Sequence, residues 1–342
     1  MSSGSLPRYI AQRVLLVIPM MFILLTVVFL MLRVAPGDPI SASVGGKLSE
    51  AAIEVRKTQL GLNRPLIVQY LEYLGQTATF DFGETFTDNR QVTDIIRDNG
   101  GATLTLTLGA FLIALGVGIP LGRWAARKRD SARDIVIRVF GIVTYATPIF
   151  FVGLLMQLYL ARPTGLPTSG IASPRVMFTV GSKPITHILL VDSLLQGDWA
   201  AFGDVLLHHL LPCVTLGLMI CGVFIRLVRV NLLQTLQSDY VEAARARGIH
   251  ESRVVRDHAF RNALVPVVTV VGLQAAMMMG GAVLTESTFN WPGLGTQLMH
   301  YIQARDYVGV QGIVTFFAVV VAVISVIVDI VNALIDPRVR YE

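Results

Sequence analysis

The stretch Ala102–Gly122, ATLTLTLGAFLIALGVGIPLG, holds no Lys, Arg, Asp or Glu in 21 positions. A helix rises 1.5 Å per residue, so about 20 such residues cross the hydrocarbon core of a bilayer. Five more windows share this character: Val14–Leu32, Val139–Ala161, Val205–Ile225, Ala263–Thr285 and Tyr307–Val328. Their Gly, Pro, Ser, Thr and His residues are tolerated in membrane helices, where neighbouring helices satisfy the backbone and small side chains permit close approach. The chain has 342 residues, of which 53% are hydrophobic and 15% charged, against roughly 25% charged in soluble domains. The expectation is an all-α integral membrane protein with six transmembrane helices, and the composition disfavours a cytosolic enzyme.

The net charge of +5 is unevenly placed. Segment 123–138 holds six basic residues and segment 226–262 holds seven, whereas 162–204 holds three and 286–306 one. Positive-inside bias puts the two dense loops in the cytoplasm, together with both termini. The basic balance is therefore a topology signal, with no call for nucleic acid. The first window exceeds the usual 7–15-residue signal-peptide core and is crowded downstream by Pro36 and Pro39, so it reads as an uncleaved span. Cys213 and Cys221 lie eight positions apart on one predicted helix, out of disulfide reach.

The extracytoplasmic region 34–101 shows helical periodicity in Ala51–Leu60 and Leu66–Leu74, which predicts short surface helices. Region 162–204 reads as irregular loop up to Pro184, followed by a weakly amphipathic stretch, Ile185–Leu195. Loop 226–262 is more structured. Ser238 or Asp239 can start a helix, Gly248 is placed to end it with a left-handed cap, and Ser252 can cap a second helix running into the fifth window. Two short helices hinged at one glycine would offer Ala243, Ala244 and Gly248 for close approach by another protein, with Glu242 and Arg245 at the rim.

No Gly-x-x-x-x-Gly-Lys-Ser/Thr, His-Glu-x-x-His, paired Cys-x-x-Cys or Gly-x-Ser-x-Gly pattern occurs. No catalytic, cofactor-binding or metal-binding residue is therefore assigned. His208 and His209 point about 100° apart on a helix, a poor chelate, and are expected as interfacial residues with their tips among the headgroups. The windows hold no Asp, Glu, Lys or Arg of the kind that ion-coupled carriers place at membrane depth. Asp329, just beyond the sixth window, reads as an interfacial carboxylate or one paired with a basic neighbour. Energy must come from another protein, or the molecule is a passive pore.

The segment Glu242-Ala243-Ala244-x-x-x-Gly248, with Leu264-Val265-Pro266 downstream, resembles the EAA loop of permease subunits in ABC importers. Ala35-Pro36-Gly37-Asp38-Pro39, Leu60-Gly61-Leu62-Asn63-Arg64-Pro65, Asp239-Tyr240-Val241, Glu286-x-x-Phe289-Asn290-Trp291-Pro292-Gly293-Leu294-Gly295, Arg305-Asp306-Tyr307 and Asp336-Pro337-Arg338 extend the resemblance in order along the chain. They point to the B-type permease of the dipeptide, oligopeptide and nickel branch. Family members usually carry Pro where Val308 stands, Asn near Ser325 and Tyr near Asn332; these departures surround the sixth window and leave the coupling loop untouched.

The resemblance implies a type I ABC importer permease fold in a bacterial cytoplasmic membrane, with alternating access driven from the EAA loop. It implies four partners besides the lipid bilayer: a homologous second permease subunit, two ATPase subunits that bind ATP and Mg, and an extracytoplasmic substrate-binding protein. Asp239, Tyr240, Glu242, Ala243, Ala244, Arg245, Arg247 and Gly248 would form the ATPase-coupling loop. Phe289, Asn290, Trp291, Pro292 and Gly293 are either a structural turn, with Trp291 as an interfacial anchor, or part of an outer gate on the substrate path. Glu286 either meets a peptide's amino group or closes a helix end. The solute stays open among dipeptides, longer peptides, glutathione, nickel complexes and sugars, and a passive channel or secondary carrier is the alternative. Expected boundaries are a cytoplasmic terminus with the first span at 1–33, an extracytoplasmic region at 34–101, a five-helix permease domain at 102–335 and a cytoplasmic tail at 336–342.

Overall fold

The computed structural model describes residues 6–34, 54, 55, 58, 61 and 63–335. The Pro36–Pro39 turn, most of the Ala51–Leu60 helix and the 336–342 tail lie outside the described residues. The rest is helical: α1 (Leu6–Val34), α2 (Leu66–Ala78), α3 (Val92–Arg127), α4 (Ala132–Ala146), α5 (Ile149–Leu155), α6 (Pro174–Thr179), α7 (Leu189–Leu195), α8 (Trp199–Thr235), α9 (Asp239–Ala246), α10 (Val265–Thr288), α11 (Leu294–Gln303) and α12 (Tyr307–Ile335). Five helices, α1, α3, α8, α10 and α12, are each long and apolar enough to cross a membrane, and α4 with α5 makes a sixth, broken span.

The third window does not form the straight helix expected of Val139–Ala161. Its two halves meet at 108° across Thr147 and Pro148. Proline has no N–H to donate and disfavours helical backbone in the residue before it. Thr147 is accordingly extended (φ −82°, ψ 133°), and the helix restarts on Pro148. Counting charges is blind to such a break, because Thr-Pro is uncharged. After Leu155 the chain widens into a π-helical turn, Met156–Ala161.

The centre of the bundle is the parallel pair α3 and α8. Along α3, every fourth residue from Ala102 to Ala126 is buried: Ala102, Leu106, Ala110, Ala114, Gly118, Gly122 and Ala126. Residues four apart share one helix face, so this is a continuous seam of mostly small side chains. From α8 it receives Cys213, Gly217, Cys221, Phe224, Ile225 and Val228. The backbones nearly touch: a Cβ on Gly217 would lie 2.6 Å from the Ala110 carbonyl oxygen, and one on Gly122 would lie 2.7 Å from that of Ile225. Both cysteines are free and buried in this seam, where they serve as small apolar residues.

Helix α4 closes on α8 at the glycine pair Gly141 and Gly222. α10 packs against α12, with Val328 filling the space above Gly272. α1 lies on α12 and joins it through Arg13 and Asp329, 3.6 Å apart, the second of the two readings open for Asp329. At the other end of α1, Arg33 donates to Gln69 of α2 at 3.0 Å and Phe29 stacks on Tyr73. The Ile185–Leu195 stretch becomes α7. Helix α6, begun by Pro174 in the first turn where a missing N–H costs nothing, occupies part of the expected irregular loop.

The glycine pair yields a paired prediction. A Cβ at Gly141 meets its nearest atom at 3.5 Å, ordinary contact, whereas one at Gly222 would sit 2.3 Å from the Gly141 carbonyl oxygen. Gly222→Ala should destabilise the purified protein by about 1–3 kcal/mol, the cost of overpacking, while Gly141→Ala should leave thermal unfolding in detergent near wild type.

Candidate functional site

The hairpin after α8 is built by local rules. Ser238 holds the extended N-cap position of α9, without a side-chain capping bond. Asp239 and Glu242 lie in the first turn and Arg245 in the last, matching the helix dipole. The helix stops at Gly248, φ +74°, in a Schellman turn: the Gly248 N–H donates to the Arg245 carbonyl at 2.9 Å and that of Ile249 to Ala244 at 3.3 Å. The left-handed glycine cap is present as expected. The second arm differs from expectation: its N-cap is His250, whose Nδ1 accepts from the Ser252 N–H, so Ser252 sits inside the turn. The chain then widens into a π-helix, Val254–Phe260, before entering α10.

Packing fixes this hairpin to the central pair. Val241, Ala244, Val254, Ala259 and Ala263 are buried together with Ala126 at the end of α3 and Leu232 near the end of α8. Ala244 therefore faces inward, away from the approach surface expected of it, because it shares a helix face with Val241. Asp239, Tyr240, Glu242, Ala243, Arg247 and Gly248 are exposed. Arg245 is partly committed: its guanidinium donates to Glu251 at 2.9 and 3.1 Å and to the Leu236 carbonyl at 3.2 Å. This fork holds the Glu251 carboxyl below the usual carboxylate range. Asn262 donates to the Tyr240 hydroxyl at 3.0 Å, and the Arg123 guanidinium lies over the Phe260 ring.

Beside the hairpin, the structure shows an ion pair that sequence reasoning missed. Asp134, fully buried, accepts from Arg229 Nε and an Nη, both at 2.7 Å, and from the Asp130 N–H at 3.0 Å. The available signal was Ser131-x-x-Asp134 at the start of an apolar run, a helix-start pattern, beside an arginine that continues an otherwise apolar helix. Ser131 does cap α4 by accepting from the Asp134 N–H.

At the opposite end, the Glu286–Gly295 segment folds into a closed turn against α3. Glu286 is fully buried; one carboxylate oxygen accepts from the Thr103 hydroxyl at 2.6 Å and the other from the Thr296 N–H at 2.9 Å. Trp291 is also fully buried and donates its indole N–H to the Ala102 carbonyl at 3.0 Å. It is thus a core residue and no interfacial anchor. Phe289 is buried and Asn290 adopts φ +47° to turn the chain. Asn99 donates to the Pro292 carbonyl. Gly293 is needed for close approach, since a Cβ there would fall 2.2 Å from a Glu286 oxygen.

His209 belongs to the same cluster. Its ring stands edge-on to Trp291 with centroids 4.6 Å apart, Nδ1 faces the Val205 carbonyl and Nε2 faces the Thr105 hydroxyl. His208 contacts Asp204. Both histidines are buried, so their expected placement among headgroups is corrected: His208 bonds back to Asp204 on its own helix, and His209 lies against Trp291. Among the described residues no three His, Cys, Asp or Glu side chains converge as a metal site.

The arrangement is a bundle of spans with a structured hairpin at one end and a locked turn at the other. Two family patterns match the chain: binding-protein-dependent transport system inner membrane component over residues 118–341, and the N-terminal membrane component of such systems over residues 6–107. The chain is 37% identical over 336 residues to the di/tripeptide transport system permease protein DppB of Pseudomonas aeruginosa, covering 98% of this chain and 99% of the relative. It is 35% identical to the dipeptide transport system permease protein DppB of Escherichia coli K12, again over 98% and 99%. Identity to DppB of Alkalihalophilus pseudofirmus is 33%, over 97% and 99%. The chain belongs to the family of binding-protein-dependent transport system inner membrane components, the permease subunits of ABC importers, and has their type I fold.

The Arg245–Glu251 fork gives a pH prediction. A carboxyl whose pKa is depressed on folding contributes stability above its unfolded pKa, and that contribution is lost as pH falls through the folded value. Both groups are well exposed, so the contribution is at most about 1 kcal/mol. Glu251→Gln should speed amide exchange across α9 at neutral pH, with wild type and variant converging in acid below the carboxylate range. Asp134→Ala, which strands Arg229 in a largely buried position, should cost more, on the order of 3 kcal/mol, read as a fall in thermal stability of the purified protein.

Proposed function

We propose that this chain forms half of the path by which di- and tripeptides enter the cell, and that ATPase subunits drive it through the hairpin at Asp239–Gly248. The supporting observation is the mounting of that hairpin. Its buried face is continuous with the ends of α3 and α8, while Tyr240, Glu242, Ala243 and Arg247 are exposed on the outer face. A rigid knob with a small, exposed alanine at its tip suits insertion into a groove on another protein. The dense arginines around it support a cytoplasmic location for this end, for both termini and for segment 336–342, and with it an outer location for the Glu286–Gly295 turn and segment 34–101.

In this reading a second permease of similar fold completes the path, two ATPase subunits bind ATP and Mg, and an extracytoplasmic binding protein delivers the peptide. The names of the relatives support the solute class. A ligand shifts a two-state equilibrium only by its differential affinity for the two states, so closure of the ATPases must do work on the hairpin without bending it. The buried Glu286, Phe289 and Trp291 would keep α10 registered against α3 at the outer end, leaving the outer gate to residues around that turn.

The test is uptake of labelled dipeptide by proteoliposomes holding the complete transporter. A Cβ at Gly248 meets open space, so its substitution strains only the backbone. Gly248→Val should cost about 1–2 kcal/mol of local strain and lower uptake per ATP hydrolysed, whereas Gly248→Asn, which tolerates the left-handed region, should retain coupling. Uptake by the permease without ATP or ATPase subunits would instead identify a passive channel.

A further inference from the structure

A cavity of about 810 Å³ opens between α4, α8 and α10 at the hairpin end of the bundle. That volume lies within the roughly 300–1,000 Å³ of small-molecule sites. Apolar side chains such as Ile142, Ile225 and Met277 make much of its wall, but Arg138, Arg226, Arg229 and Gln274 also line it. Arg229 is committed to Asp134, and Arg138 reaches the same carboxylate at 3.5 Å. Arg226 is exposed to the cavity and makes no hydrogen bond or ion pair with a described residue. Three guanidiniums against one carboxylate leave two positive charges uncompensated in a recess with mainly apolar walls.

Gln274 is the second, independent sign. It is 9% exposed, and its amide makes no hydrogen bond to a described side chain or backbone group. Its amide atoms stay open to the cavity and are not sealed in the core, and Leu or Met at the same wall position would offer an entering polar group no partner. A ligand that offers a carboxylate and an adjacent amide satisfies both features at once. The C-terminal end of a short peptide is such a ligand: a guanidinium fork matches the carboxylate in geometry as well as charge, and the last peptide group lies within reach of a neighbouring amide. The cationic amino end is repelled from the same spot.

We propose that Arg226, supported by Arg138 and Gln274, receives the carboxylate end of the peptide in transit at the hairpin end of the path. This rests on the peptide-permease reading above and adds the residues and the orientation. Arg226 acts here as a transient binding residue: the contact stabilises the solute against mainly apolar walls, and its exposed position allows release.

The experiment is dipeptide uptake by the complete transporter, reconstituted in vesicles of phosphatidylcholine alone and of phosphatidylcholine with phosphatidylglycerol. Assembly is checked by size exclusion. Arg226→Gln should lower uptake about ten-fold, the loss of one charge-assisted interaction, and Arg226→Lys should retain more of it, equally in both lipids. Gln274→Leu should lower uptake while leaving thermal stability equal or higher, a combination that a purely structural glutamine would not give. Wild-type uptake by the variants overturns the inference. A loss confined to vesicles with phosphatidylglycerol also overturns it and assigns the arginines to lipid headgroups. A wild-type complex that takes up no dipeptide overturns the peptide reading, and this inference with it.

Discussion

The near-contact of the α3 and α8 backbones organises this protein. In a bilayer there is little hydrophobic drive for helices to associate, so close packing of small residues supplies the adhesion. The seam from Ala102 to Ala126 lets α3 and α8 lie against one another over the full width of the membrane, and neither can slide without driving a backbone carbonyl into a side chain. Other elements are fixed by reference to this pair: α4 through Gly141 and Gly222 and through Asp134 and Arg229, α10 through the Trp291 turn at one end and the hairpin at the other.

This arrangement explains how a small hairpin can act on a large bundle. Val241, Ala244 and Val254 bury against Ala126 and Leu232, which terminate the seam. A push on the hairpin is therefore delivered to the most rigid part of the molecule. The regular helical hydrogen-bond ladder is interrupted elsewhere, at the 108° break after α4 and in the π-helical turns Met156–Ala161 and Val254–Phe260. The arginine-lined cavity lies beside the first of these breaks, between α4, α8 and α10.

Much of this was legible in the sequence, because long charge-free windows and glycine caps are local signals. The spans and the left-handed turn at Gly248 followed from composition and spacing. The break at Thr147-Pro148 was present as a Pro signal but hidden inside an apolar window that satisfied the length criterion. The inward face of Ala244 was hidden because an alanine next to an exposed alanine carries no mark of which one packs; only the contacts with Val254 and Leu232 decide it. His209 and Trp291 look interfacial by residue type, and their burial depends on the fold of the Glu286–Gly295 turn, which brings together residues nearly 190 positions apart. The Asp134–Arg229 pair is non-local in the same way, with 95 positions between its members.

The claim that the hairpin and the α3–α8 seam move as one body is tested most directly by pulsed electron-spin distance measurements on the assembled transporter through its ATP cycle. One label pair joins Ala243 on the hairpin to Gln234 at the end of α8, and a second joins Ala243 to the matching hairpin of the other permease subunit. The account predicts a constant first distance and a second distance that changes with nucleotide. A first distance that changes while the second stays fixed would contradict it, for the hairpin would then be bending on its mounting.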